Sequence, residues 1–139
     1  MSKVSFSALL TLAMLMPRTA LAVCETPTTL SDLTILESAG EEAFAQMETD
    51  QLLTSSTLAR TKILPCLKEP LSVAASAGFH RLMALEAYIN ADEPRAIAEF
   101  HASRKLEPGY TFSVDVVDAE HPLRVLYETA ANVSDGEAE

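Results

Sequence analysis

Past residue 29 the apolar positions of this chain recur mostly every three or four residues, the period of an α-helix with one buried face. Leu30, Leu33, Leu36, Ala43, Phe44 and Met47 follow that spacing and predict a first helix over about 30–47. Thr29 stands before it as an N-cap, with Asp32 three residues on as a weak capping box. Thr49 or Asp50 can cap a second helix carrying Leu52, Leu53, Leu58 and Ile63, which Pro65 should stop. Pro70 suits the first turn of a third helix with Leu71, Ala74, Ala75, Gly78, Leu82, Leu85 and Ile89 on one stripe. The small residues of that stripe allow a neighbouring helix to come close. Asp92 caps a fourth helix with Pro94 in its first turn, and Ala96, Ile97, Phe100, Ser103 and Leu106 face inward until Pro108-Gly109.

The period changes at Tyr110. Phe112, Val114 and Val116 alternate with Thr111, Ser113 and Asp115, a strand-like pattern with no partner strand. It predicts an extended segment lying on the helices. A last helix starts near Pro122 with Leu123, Leu126, Tyr127 and Ala130. There is also an internal echo. Glu42-Ala43-Phe44 and Glu86-Ala87-Tyr88 each precede a short break, a second helix and a proline, Pro65 or Pro108. The expected fold is all-α: two stacked antiparallel hairpins plus a C-terminal helix, occupying residues 23–133.

The two ends read differently. Lys3, the apolar run Ala8–Met16, Pro17 and Ala20-Leu21-Ala22 have the order of a secretory signal peptide cleaved after Ala22. The run is too short to span a bilayer, which takes about 20 residues. Cys24 follows closely, but Val23 stands before it where a lipoprotein signal carries a small residue, so a freely exported protein is expected, periplasmic or secreted. Residues 134–139 are polar and acidic and read as a disordered tail.

Charge narrows the partners. The chain has 20 acidic and 10 basic residues, a formal net charge of −10. Loss of Lys3 and Arg18 with the signal peptide takes it to −12. So acidic a chain is repelled by nucleic acid and by anionic membranes. The pair Cys24 and Cys66, in an oxidising compartment, predicts one disulfide.

Residues 77–110 resemble one tetratricopeptide repeat. Ala96, Phe100, Ser103 and Pro108 stand at that family's second-helix spacing, Met83, Ala84 and Tyr88 at its first-helix spacing, and Asp92 in its loop. The first hairpin departs from the pattern, since no small-aromatic-small set precedes Pro65, and His80 replaces an early large aromatic. The resemblance implies a short helical array whose first helices line a peptide groove. It carries Arg81, Leu85 and Tyr88 over as binding residues, with Leu85 where the family's carboxylate clamp usually has Asn. The segment also looks like small exported bacterial proteins in which a helical pair precedes His-Pro-Leu-Arg, here His121-Pro122-Leu123-Arg124.

No Gly-rich phosphate loop, nucleophile elbow or paired-cysteine metal motif is present. The expectation is therefore a non-enzymatic scaffold or adaptor for a protein or peptide partner, without cofactor or metal. An accessory subunit or inhibitor of a larger exported assembly is a related reading. The contrasting one is a metal-binding protein or small hydrolase using His80, His101 and His121 with the cluster Asp115, Asp118, Glu120 and His121.

Overall fold

A computed structural model describes residues 24–133. The expected signal peptide, residues 1–22, and the acidic tail, residues 134–139, lie outside the described residues. Helix α1 spans Leu30–Ala45 and helix α2 begins at Thr49 and runs as regular α-helix to Leu58. Helix α3 spans Val73–Ile89, α4 Glu93–Leu106 and α5 Pro122–Thr129. The fold is all-α, two helical hairpins and a closing helix, with no strand among the described residues.

Local chemistry fixes most boundaries. Thr29 Oγ1 accepts the N–H of Asp32, and the Asp32 carboxylate accepts the N–H of Thr29 at 2.8 Å. That closes the capping box and, through the Thr29 backbone first, holds the Asp32 carboxyl below its usual range. The Asp92 side chain accepts the N–H of Arg95 at α4. At α2, however, neither Thr49 nor Asp50 is the cap: Glu48 occupies that position without a side-chain bond. At α3 the cap is Ser72, whose Oγ accepts the Ala75 N–H at 3.1 Å. Pro70, Leu71 and Ser72 therefore lie ahead of the helix, and Leu71 and Ala74 are exposed.

Pro65 does not stop the second helix. The chain continues through a π-helical turn, Ala59–Ile63, into a last α-helical turn, Leu64–Cys66. A proline ring strikes the carbonyl four residues back and offers it no N–H. The widened turn just ahead of Pro65 absorbs that conflict, so the helix bends on instead of ending. Its end is tied down twice. Cys66 forms a disulfide with Cys24, and Thr28 pairs with Leu67 in an isolated parallel bridge, with Thr28 N–H to Cys66 O at 3.0 Å.

The internal echo is a structural one. The α1–α2 turn has Gln46 N–H on Glu42 O, Met47 N–H on Phe44 O and Glu48 N–H on Ala43 O. The α3–α4 turn has Asn90 on Glu86, Ala91 on Tyr88 and Asp92 on Ala87, the same three bonds displaced along the chain. Met47 and Ala91 both adopt φ 57, the left-handed region.

Helix α3 is central, packed on α1, α2 and α4, and ten of its residues are buried. Two glycines set the α1–α3 approach. A Cβ on Gly40 would lie 2.3 Å from Leu82 Cδ1, and one on Gly78 would lie 2.3 Å from Glu37 Oε2. Between α2, α3 and α4, Glu86 is held by Arg60 at 3.0 Å and Arg95 at 3.1 Å. Burial opposes its ionisation, but the two guanidiniums prevail and keep its carboxyl below the usual range.

Residues 110–118 do lie on the helices, but not as a regular strand. Phe112 and Val117 are buried while Val114 is 63% exposed. The alternation fails because Val116 and Val117 both turn back to Ser113 O. Arg124 pins this loop, donating from Nη2 to Phe112 O at 3.1 Å and from Nε to Asp118 O at 2.8 Å. Phe112 and Tyr127 then stack edge-on against the fully buried Phe100 at 5.9 and 5.2 Å.

Candidate functional site

Arg81, Leu85 and Tyr88 share one face of α3, as spacings of four and three require, but that face does not form an open groove. Leu85 has no exposed surface, and the Arg81 side chain is 10% exposed. Arg81 Nη1 donates to Glu107 Oε2 at 2.7 Å, and its Nε lies 3.7 Å from Glu41 Oε1. Its guanidinium rests 3.6 Å over the Tyr110 ring. The first hairpin and the segment after α4 thus cover Arg81. The physical reason is the position of α3: its middle turns, packed by three other helices, have no free face to offer a ligand.

Around Arg81 three carboxylates converge on one cation. Glu37 points from α1 onto Gly78, and its Oε1 is buried without a hydrogen-bond partner. Burial, reinforced by Glu41 and Glu107 and opposed by Arg81, pushes its pKa up to about 7. Burial also raises the Tyr110 phenol, which donates to Glu41 Oε1 at 3.1 Å. This cluster joins the two hairpins.

Tyr88, at the end of α3, does reach the surface. It meets Phe44, the equivalent residue at the end of α1, at 6.0 Å between ring centroids. His121 closes the triangle at 5.7 Å from Phe44 and 5.9 Å from Tyr88. His121 is positioned by its own helix: its Nδ1 accepts the Leu123 N–H at 3.1 Å and caps α5. An accepting Nδ1 leaves the ring proton on Nε2 in the neutral imidazole.

These three rings wall a cleft of about 310 Å³, within the range of small-ligand and side-chain sites. Ala43 and Leu52 form its buried floor, Met47 and Ala45 one exposed lip, and Asp115 and Asp118 the other. No lysine or arginine lines it. The chain is therefore folded so that an aromatic-walled depression, apolar at Ala43, Leu52 and Met47, opens beside two carboxylates. Sequence reasoning found Tyr88 under one reading and the cluster of Asp115, Asp118 and His121 under another. It missed Phe44 and Met47, although the echo pairing Phe44 with Tyr88 held that signal.

The histidines of the alternative reading each hold a separate joint. His80 Nδ1 lies 2.7 Å from Glu99 Oε2, between α3 and α4. His101 is partly buried: its Nδ1 lies 3.0 Å from Ala130 O and ties α4 to the turn after α5. Among the described residues no group of three or more His, Cys, Asp or Glu side chains is placed to hold a metal ion. Nor is any described helix long and apolar enough to cross a membrane. No protein-family model, curated protein or solved structure matches this chain.

Proposed function

We propose that this chain is an exported, non-enzymatic helical scaffold of tetratricopeptide-like build, and that it binds a protein or peptide segment in the Phe44–Tyr88–His121 cleft. The observation that carries this is the cleft itself, an open depression of mixed apolar and acidic lining whose three walls are aromatic rings. Rings bury much area at low entropic cost and dominate the energetics of recognition surfaces. The separate engagement of the three histidines favours binding over chemistry. The disulfide is compatible with an oxidising compartment, and an intact mass beginning at Val23 in protein recovered from its host tests the export reading.

Panning a randomised heptapeptide display library on the purified exported protein tests the binding reading. Ala45 is exposed on the cleft lip, so Ala45→Trp fills the opening without touching the core. Enriched peptides should bind the parent and lose at least tenfold in affinity on the Ala45→Trp variant. Failure to enrich any peptide, or equal binding to both proteins, overturns the proposal.

A further inference from the structure

Beyond the Tyr88 wall the surface stays indented. A second depression of about 700 Å³ shares Tyr88 with the cleft and continues along α5 past Pro122, Val125 and Leu126. A third, of about 560 Å³, shares Glu93 and Thr129 with the second and reaches Pro94, Ile97 and Asn132. Neighbouring depressions share lining residues, so the three follow one another as a track along the surface. One bank is a strip of α5 and its extension: His121, Val125, Thr129 and Asn132, at spacings of four, four and three. The other bank is the end of α3, the α3–α4 turn and the start of α4. From His121 to Asn132 the strip rises about 16 Å at ~1.5 Å per helical residue. With the first cleft added, the track is about 20 Å long, and an extended segment of about six residues covers it at ~3.3 Å each.

Charge selects the occupant. Asp115 and Asp118 stand over the first depression, Glu120 over the second, and Glu93 over the second and third. No lysine or arginine lines any of the three. Three arginines of α4 and α5 are committed elsewhere: Arg95 to Glu86, Arg124 to the carbonyls of the 112–118 loop, and Arg104 over the Tyr127 ring. The track is thus apolar at its base and negative along its rim in a chain whose net charge is −10. Val125 on the α5 bank adds apolar surface, 66% exposed to solvent.

We infer that the track takes an extended basic peptide segment in which apolar side chains alternate with Lys or Arg, the apolar ones seated in the three depressions and the cations on the acidic rim. The period of an extended chain places alternate side chains on opposite sides, so one set reaches the base while the other reaches the carboxylates. This rests on the binding reading above and names its ligand. The chain's own acidic tail is a poor occupant, because like charges would face each other across the rim.

The probes are two fluorescein-labelled, end-capped heptapeptides, Lys-Leu-Lys-Phe-Lys-Leu-Lys and its counterpart with Glu at every Lys. Anisotropy titration should show saturable binding of the Lys peptide, weakening at least fivefold between 50 and 200 mM salt as exposed charge pairs are screened, and no binding of the Glu peptide. Asp115→Asn with Asp118→Asn should weaken it at least fivefold. Glu25→Gln with Glu69→Gln removes the same charge from exposed positions off the track and should leave affinity within twofold. Thr129→Trp, at an exposed position where the second and third depressions meet, should weaken the heptapeptide at least fivefold and leave the tripeptide Lys-Phe-Lys unchanged. Circular dichroism and melting confirm that each variant is folded. Equal loss in the two charge-matched pairs reduces the effect to general attraction and overturns the inference, as does equal binding of the Glu peptide. Indifference to Thr129→Trp confines the ligand to the first cleft and overturns the track. In the library experiment, enriched peptides that need the cleft but carry no basic residues overturn this inference and leave the proposed function standing.

Discussion

Glu37 offers a direct test of how the two hairpins are joined. Its carboxyl lies against Gly78 with one buried, unbonded oxygen, and its pKa is pushed up to about 7 by burial, helped by Glu41 and Glu107 and opposed by Arg81. In the unfolded chain it ionises near 4.5. Between about pH 4.5 and 7 the folded protein therefore holds a proton that the unfolded chain has released. Stability from this group is fully present below about pH 4.5, falls as pH rises through that window, and levels off above 7. The difference corresponds to about 3 kcal/mol, and solvent screening of this half-buried residue reduces it to about 1–3 kcal/mol. Glu37→Gln keeps the side-chain shape against Gly78 and cannot ionise. At pH 8 the variant should exceed the parent in stability by about 1–3 kcal/mol, and at pH 4 the two should agree within about 0.5 kcal/mol. Urea unfolding at both values, with the disulfide intact and a common slope, measures this. A gain of equal size at both pH values, or a loss at pH 8, would refute the reasoning.

Other perturbations follow from single sites. Phe100→Ala empties a fully buried site between Phe112 and Tyr127 and should cost about 3–5 kcal/mol; a change below about 1 kcal/mol in denaturant unfolding would contradict the packing. Reduction of Cys24–Cys66 reopens a loop with a sequence separation of 42 and should cost about 4 kcal/mol in the chain-entropy model, seen as a lower Tm with reductant than without. Ser103 is fully buried and its Oγ has no hydrogen-bond partner, so Ser103→Ala should be stabilising by about 0.5–1 kcal/mol; a loss beyond about 1 kcal/mol would mean that the hydroxyl is satisfied. Ala91 adopts φ 57 in an exposed turn, and Ala91→Gly should raise stability by about 0.5–1 kcal/mol.

Local rules wrote most of the elements into the chain. The helical period, the Thr29–Asp32 capping box, the Asp92 cap and the break before Pro122 depend on neighbours within four residues, so one sequence suffices to read them. The repeated Glu-Ala-aromatic ending was legible for the same reason and becomes the shared turn geometry of Met47 and Ala91. The disulfide was legible because only two cysteines follow the expected cleavage point. Pro65 misled because a π-helical turn can absorb a proline, and the three-residue cap shift at α3 followed from treating Pro70 as helical.

Tertiary structure decided the site. Periodicity places Arg81, Leu85 and Tyr88 on one face but does not say what lies against that face. Helix α3 is the central helix, so Arg81 and Leu85 are covered and only Tyr88, at its end, emerges. The cleft draws Phe44, Tyr88, His121 and Asp115 from four parts of the chain, and their convergence depends on how the hairpins stack and where Arg124 pins the loop. A sequence fixes which side chains a helix can turn toward a neighbour. Which neighbour arrives, and what space it leaves, is set by the summed packing of the whole chain, an information that no local window contains.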